Sequence, residues 1–163
     1  MNMKTRRFLV AISLGLLIAL TAVAQARKSS AGLEGEFKAL IDQYYAAWST
    51  LNPDNAAKLY ARDADLVFYD IAPLKYNNWA EYKEGVKKAF TETMSSGKLT
   101  PKDDLKVTQR GSVVWTTVTF HLTAQPKAGG AALELDGRHT AIWEKRGGKW
   151  VIVHEHISAP LPG

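Results

Sequence analysis

One stretch near the carboxy terminus, Gly137 to Pro160 (GRHTAIWEKRGGKWVIVHEHISAP), limits the possible folds more than any other part of the chain. Two β-rich runs, Arg138 to Lys145 and Lys149 to Ser158, carry one tryptophan each, Trp143 and Trp150, and flank Gly147-Gly148. Paired glycines supply the positive φ that tight hairpins need, so the stretch reads as two antiparallel strands. Side chains alternate along a strand with period two, and loop length therefore decides which residues share a face. A two-residue Gly-Gly turn would place His139, Ala141 and Trp143 beside His154 and His156. A three-residue turn, Arg146-Gly147-Gly148 with Gly148 left-handed, would place them beside Val151, Val153, Glu155 and Ile157. The second grouping makes one mostly apolar face with His139 opposite Glu155, and it is the one we favour. The other face would then hold Arg138, Thr140, Ile142, Trp150, Ile152, His154 and His156.

The amino-terminal end has a different character. Lys4, Arg6 and Arg7 precede an apolar run from Phe8 to Val23 that closes in small residues. That is the pattern of a secretory signal peptide over residues 1–26, with cleavage after Ala24 or Ala26. A membrane anchor would need about 20 apolar residues, and this run is shorter. A periplasmic or secreted protein with no stable membrane anchor is expected. The chain has no cysteine, which rules out disulfides, thiol catalysis and a lipid-bearing cysteine. Removing the three leader cations from the net charge of +5 leaves +2, and the remaining charges are interspersed. Such a surface is not a nucleic-acid footprint. The remaining residues, 27–163, are enough for one domain with its own core.

Residues 27–32 read as a loose tether. Phe37, Leu40, Ile41, Tyr44, Tyr45, Trp48 and Leu51 then recur at helical spacing, predicting a first helix from about Leu33 to Leu51. Asn52-Pro53 caps and opens a short second helix with Ala56, Leu59 and Tyr60 inward. Leu66 to Tyr69 reads as a short strand ending at Asp70, and Ile71 to Asn77 as a loop. Asn78, with Glu81 reaching back, starts a third helix in which Trp79, Tyr82, Val86, Ala89 and Phe90 recur at helical spacing to about Thr93, stopped by Ser95-Ser96-Gly97. Strands follow at Leu105–Arg110, Ser112–Gln125, Leu133–Lys145 and Lys149–Ser158. Three helices followed by a meander predict an α+β fold with helices covering one face of a curved antiparallel sheet.

Several motifs fall in a familiar order: Thr140-Ala-Ile-Trp143, Arg146-Gly-Gly-Lys-Trp150 and Val153-His-Glu-His-Ile-Ser-Ala-Pro160. Ala47-Trp48, Asp54 to Tyr60 and Asp63-Ala-Asp65 join them nearer the amino terminus. Over residues 34 to 160 the chain resembles the SnoaL-like branch of the nuclear transport factor 2-like (ketosteroid isomerase-like) superfamily. It is similar in particular to the association domain of calcium/calmodulin-dependent kinase II. The resemblance implies a cone-shaped barrel with three helices on a curved sheet, a pocket between them, and homodimers formed through the sheet's outer surface. It also implies an acid at the end of the first strand, Asp70, and turns His121 toward the pocket. Ala141 and Ile157 fall where the association domain carries pocket arginines, so its anion-binding cluster is not expected here.

The candidate catalytic residues are thus Asp70, His121, His139 and Glu155, since a carboxylate beside an imidazole in a dry cavity can act as a general base. The competing reading makes His139 and Glu155 a satisfied cross-strand pair. Periodicity alone leaves His121 on the face of Trp115, Thr117 and Thr119, opposite Val118 and Phe120, so its orientation stays open. Trp48, Tyr69, Trp79 and Trp143 are candidate ligand-binding aromatics, although a stripe at helical spacing is also what a simple core requires. His154 and His156 share a face but lack further metal ligands nearby, so neither a metal nor a cofactor is expected. Three functional readings follow. The first is a binding or accessory domain with a pocket for a small, largely apolar ligand. The second is a cofactor-free isomerase, hydratase or cyclase using a carboxylate–histidine pair. The third is an oligomer-assembly domain.

Overall fold

The computed structural model describes residues 30–161. The chain divides into two compact units, Met1–Glu36 and Phe37–Gly163. Of the first, residues 30–36 are described and are helical, so the end of the expected tether is helix instead. The leader and its cleavage sites lie outside the described residues. Among the described residues no helix is long and apolar enough to cross a membrane.

In the second unit helix α1 covers residues 37–48 and ends three residues earlier than its apolar spacing predicts. Phe37, Ile41, Tyr44, Tyr45 and Trp48 are its buried stripe. Leu51 leaves the helical path with φ at 57°, a left-handed conformation that is costly for a branched side chain. Packing holds it there: its side chain lies against Gly97, where an added Cβ would come within 2.6 Å of it. Its carbonyl also accepts the Thr91 hydroxyl. Helix α2 is Pro53–Ala56, capped as expected by Asn52, whose Oδ1 accepts the Asp54 N–H at 3.0 Å. A tighter turn, Ala57–Leu59, extends it.

Helix α3, Trp79–Val86, starts where the sequence predicts, with Asn78 Oδ1 accepting the Glu81 N–H at 3.0 Å. Glu81 reaches back to the Asn77 N–H rather than to Asn78. A wider π turn over Lys87–Thr91 completes the helical segment.

Among the described residues six strands form one curved sheet that does not close. They are β1 Phe68–Tyr69, β2 Met94–Pro101, β3 Lys106–Arg110, β4 Val113–Pro126, β5 Leu133–Arg146 and β6 Lys149–Ser158. The path through the sheet is β1-β6-β5-β4-β2, with β3 also paired to β4. The sheet is mixed and not wholly antiparallel, because β1 runs parallel to β6. Strand β2 is the element the sequence conceals. Ser95-Ser96-Gly97 reads as a helix stop, yet it pairs antiparallel with Gln125 and Ala124 of β4. Residues alternating only between exposed and half-buried give such a strand little hydrophobic signal.

The hairpin corrects one expectation and explains why it was half right. Arg146 pairs with Lys149, so the turn is the two-residue Gly147-Gly148, with φ of 55° and 80°. Two left-handed residues match the twist of the strands, and glycine adopts them freely. The predicted three-residue turn is absent. A bulge supplies the missing residue instead: Ile142 pairs with His154 while Trp143 pairs with Ile152, leaving Val153 extra. Trp150 and Ile152 are therefore buried before the bulge, and Glu155 and Ile157 after it. The expected grouping of His139 and Ala141 with Glu155 and Ile157 holds, but Trp150 and Ile152 lie inside rather than outside.

Candidate functional site

His139 of β5 and Glu155 of β6 meet beneath α1 and α3. They are diagonal neighbours, since His139 pairs with Ile157 and Glu155 with Ala141. Both side chains are fully buried, with Nε2 and Oε1 3.0 Å apart. These two atoms are close enough for an ion pair, but are not aligned as a hydrogen bond. The other carboxylate oxygen, Oε2, accepts the Tyr82 hydroxyl at 2.7 Å and the Tyr60 hydroxyl at 2.8 Å. Trp48 Nε1 donates in turn to the Tyr60 oxygen at 3.1 Å. On the far side of the imidazole, Nδ1 lies 3.2 Å from the Tyr45 hydroxyl, and the Tyr44 ring stacks on His139 at 4.5 Å.

Burial pushes the Glu155 pKa up, but the His139 imidazole and the two tyrosine donors together outweigh it and leave the carboxyl below its usual range. Burial also raises Tyr60, Tyr82 and Tyr44 well above the ordinary phenol value, and the Glu155 charge raises them further. These hydroxyls therefore remain donors. The result is one buried negative charge satisfied from several elements at once.

A cavity of about 60 Å³ lies beside this cluster. Tyr44, Tyr45 and Trp48 of α1, Tyr82 of α3, and Phe120 and Leu122 of β4 form much of its wall. His139 and Glu155 do not line it, whereas Asp70 does. Asp70 follows β1 and is half-buried, with Oδ1 accepting the Ile71 N–H at 2.7 Å. Burial raises its pKa to about 6; the Ile71 hydrogen bond opposes this and the Glu155 charge adds to it. Within the cavity wall, Asp70 is thus a carboxyl that can exchange a proton near neutrality.

The four candidate catalytic residues separate into three places. His139 and Glu155 form the buried pair, and Asp70 stands at the cavity. His121 lies on the opposite face of the sheet, so the expectation that it turns toward the pocket is corrected. Alternation along β4 buries Val118, Phe120 and Leu122 and leaves the His121 side chain 46% exposed. There its Nδ1 lies 2.9 Å from Asp136 and its Nε2 2.7 Å from Glu134. Those two carboxylates raise its pKa.

Of the four candidate ligand-binding aromatics, Trp48 alone belongs to the cavity wall. Tyr69 is exposed and packs edge-on against His154 and His156. Trp79 stacks on Tyr60 at 4.2 Å and lies beneath the Arg62 guanidinium. Trp143 packs against Phe37 and donates to Thr116 Oγ1 at 3.0 Å, a core role. Tyr60 and Tyr82 entered the sequence reading only as apolar helix positions. The available clue was that a buried tyrosine hydroxyl needs an acceptor, and Glu155 is the acid on the inner face. Among the described residues no group of three or more His, Asp or Glu side chains could hold a metal ion.

Comparison with known structures agrees with this architecture. A nuclear transport factor 2-like superfamily protein from Salmonella enterica serovar Typhimurium superimposes with a TM-score of 0.74 at 20% identity, covering 82% of this chain and 94% of that one. A protein from Xanthomonas campestris, provisionally named a calcium/calmodulin-dependent protein kinase II association domain, gives 0.63 at 25% identity, covering 78% and 88%. A provisionally named scytalone dehydratase from Novosphingobium aromaticivorans gives 0.71 at 10% identity, covering 82% and 89%. Among curated proteins none matches the sequence. The family model of the SnoaL-like domain matches residues 37–162, almost the whole of the second compact unit. With its helices packed on a curved sheet of nuclear transport factor 2-like topology, the chain belongs to the SnoaL-like domain family.

Proposed function

We propose that this chain is an exported SnoaL-like binding domain whose cavity takes a small, largely apolar molecule and holds it without turnover. One observation carries the reading: the carboxylate–histidine pair is sealed behind the cavity wall, and the wall itself is aromatic and aliphatic apart from Asp70. A pair that touches no substrate serves to aim the hydroxyls of Tyr82 and Tyr45 and to fix the wall. The cavity, about 60 Å³, is far below the several hundred Å³ of drug-sized sites, which argues for a small occupant or a short apolar group. Export rests on the leader pattern of residues 1–26. A homodimer through the outer sheet face rests on the resemblance described above. Native mass spectrometry of the protein taken from its own compartment tests the reading. A reproducible added mass, released on denaturation, is expected; protein that is always empty and binds no small apolar probe refutes it.

A second reading is favoured by Asp70. A carboxyl facing the cavity with its pKa pushed to about 6 can serve as a general base, as a cofactor-free hydratase or isomerase would need. Two structural relatives carry provisional dehydratase names, the one from Novosphingobium aromaticivorans and one from Streptomyces avermitilis. Fold similarity at 10% and 14% identity is a weak warrant for chemistry. Once a ligand is in hand, Asp70→Asn separates the two readings. An enzyme loses turnover while still binding, and a binding domain has no turnover to lose.

A further inference from the structure

Among the described residues Asp70 has no cationic partner: its Oδ1 accepts one backbone N–H, and no lysine, arginine or histidine forms an ion pair with it. The residues that line the cavity include no cationic side chain either. Behind the wall Glu155 adds a second negative charge, balanced at most by His139. A carboxylate drawn partly out of water without a counter-ion costs free energy, which a bound cation would return. The rings of Tyr44, Trp48, Tyr82 and Phe120 border the same space, and aromatic faces attract cations. An anionic ligand would meet the Asp70 carboxylate, with Glu155 behind the wall, and no positive side chain in the lining.

Building on the ligand-binding reading above, we propose that the cavity recognises a small aliphatic amine, its ammonium paired with Asp70 and its alkyl group held among the aromatic walls. A cavity of about 60 Å³ restricts the occupant to a short alkyl group. The titratable groups coupled to Asp70 through their charges are Glu155 from β6, Tyr82 from α3 and Tyr76 from the loop before α3. Tyr44 and Tyr45 of α1 border the same cavity. The tyrosines are all raised and stay neutral at ordinary pH. An aliphatic ammonium keeps its charge across the same range, so affinity should follow the ionisation of Asp70, rising as pH increases through about 6.

The test uses propylamine, propan-1-ol and propanoate as a cationic, neutral and anionic series. Each is titrated into the protein while NMR follows the indole N–H of Trp48, a wall residue. At pH 8, propylamine is expected to saturate with a Kd at least tenfold below that of propan-1-ol, with propanoate the weakest. The amine preference should shrink at pH 5 in the unaltered protein and fall to parity in Asp70→Asn. If the alcohol binds as well as the amine, ligand binding stands and the ammonium assignment is overturned. If the amine preference survives in Asp70→Asn, the pairing with Asp70 is overturned. If none of the three perturbs Trp48, both the amine proposal and the ligand-binding reading fail.

Discussion

Two histidines, each beside acidic side chains, occupy opposite faces of one sheet, and they share little beyond composition. His139 with Glu155 is fully buried and tied to tyrosines from three elements, whereas His121 with Glu134 and Asp136 is open to water. The outer group also holds Lys102, paired with Asp136 at 2.9 Å, and Thr123, which donates to Glu134. Solvent screens every interaction in the outer group, and water can replace any member. Inside, removing one partner strands the other without water. Similar residue types thus form a structural anchor on one face and an ordinary polar surface on the other.

The sharpest way to break this comparison is Glu155→Gln. Leaving His139 and two tyrosine hydroxyls around an uncharged amide is expected to cost about 3–5 kcal/mol, read by urea unfolding at pH 7. Because the folded Glu155 pKa lies below its usual value, its contribution is present above the unfolded pKa and lost as pH falls through the folded one. The variant should therefore also flatten the acid limb of the stability curve. A loss no larger than that of a surface pair would show that the buried group is not the anchor described.

Gly137 lies on β5 between the two groups, in register with Phe120. A Cβ there would meet the Phe120 ring at 2.3 Å, so Gly137→Ala should cost about 1–3 kcal/mol by overpacking. Thermal unfolding checks this, and a stabilised variant would mean that the ring has room to retreat. Asp70→Asn should act in the opposite direction. Its folded pKa is raised to about 6 from 3.8, so ionisation destabilises the fold as pH rises through that interval. After allowance for solvent screening, the variant should gain about 1 kcal/mol at pH 8 and nothing at pH 4. Denaturant midpoints at both pH values test the sign. The smallest effect is expected for His121→Ala, whose unfolding midpoint should match the parent within the scatter of repeated scans. A large loss there would erase the contrast between the faces.

The elements with strong periodicity or capping chemistry were legible in the sequence. Helix α1 is marked by its aromatic stripe, α2 and α3 by Asn52 and Asn78, and β4 to β6 by alternation. The inward placement of Glu155 and His139 was legible too, although through the wrong device. Parity along β6 requires one extra residue, and the sequence does not say whether it sits in the turn or in the strand. Strand β2 was hidden because an edge strand with Ser-Ser-Gly carries almost no hydrophobic alternation. His121 could be read either way, since Thr117 and Thr119 beside it are compatible with either face. What remained least legible was the tyrosine cage, because Tyr60 and Tyr82 look like any other apolar helix positions until an acid arrives from 95 and 73 residues away.

The bulge at Val153 works as a clutch between two halves of one strand. On the turn side the even-numbered Trp150 and Ile152 face inward, and on the far side the odd-numbered Glu155 and Ile157 do. An uninterrupted strand could bury one set or the other, but not both. A residue gained or lost at the hairpin tip could be absorbed where the ladder already slips, without rotating Glu155 away from His139. The buried charge thus keeps its bearing independently of the turn, while the burial of Trp150 and Ile152 depends on the turn's two-residue length.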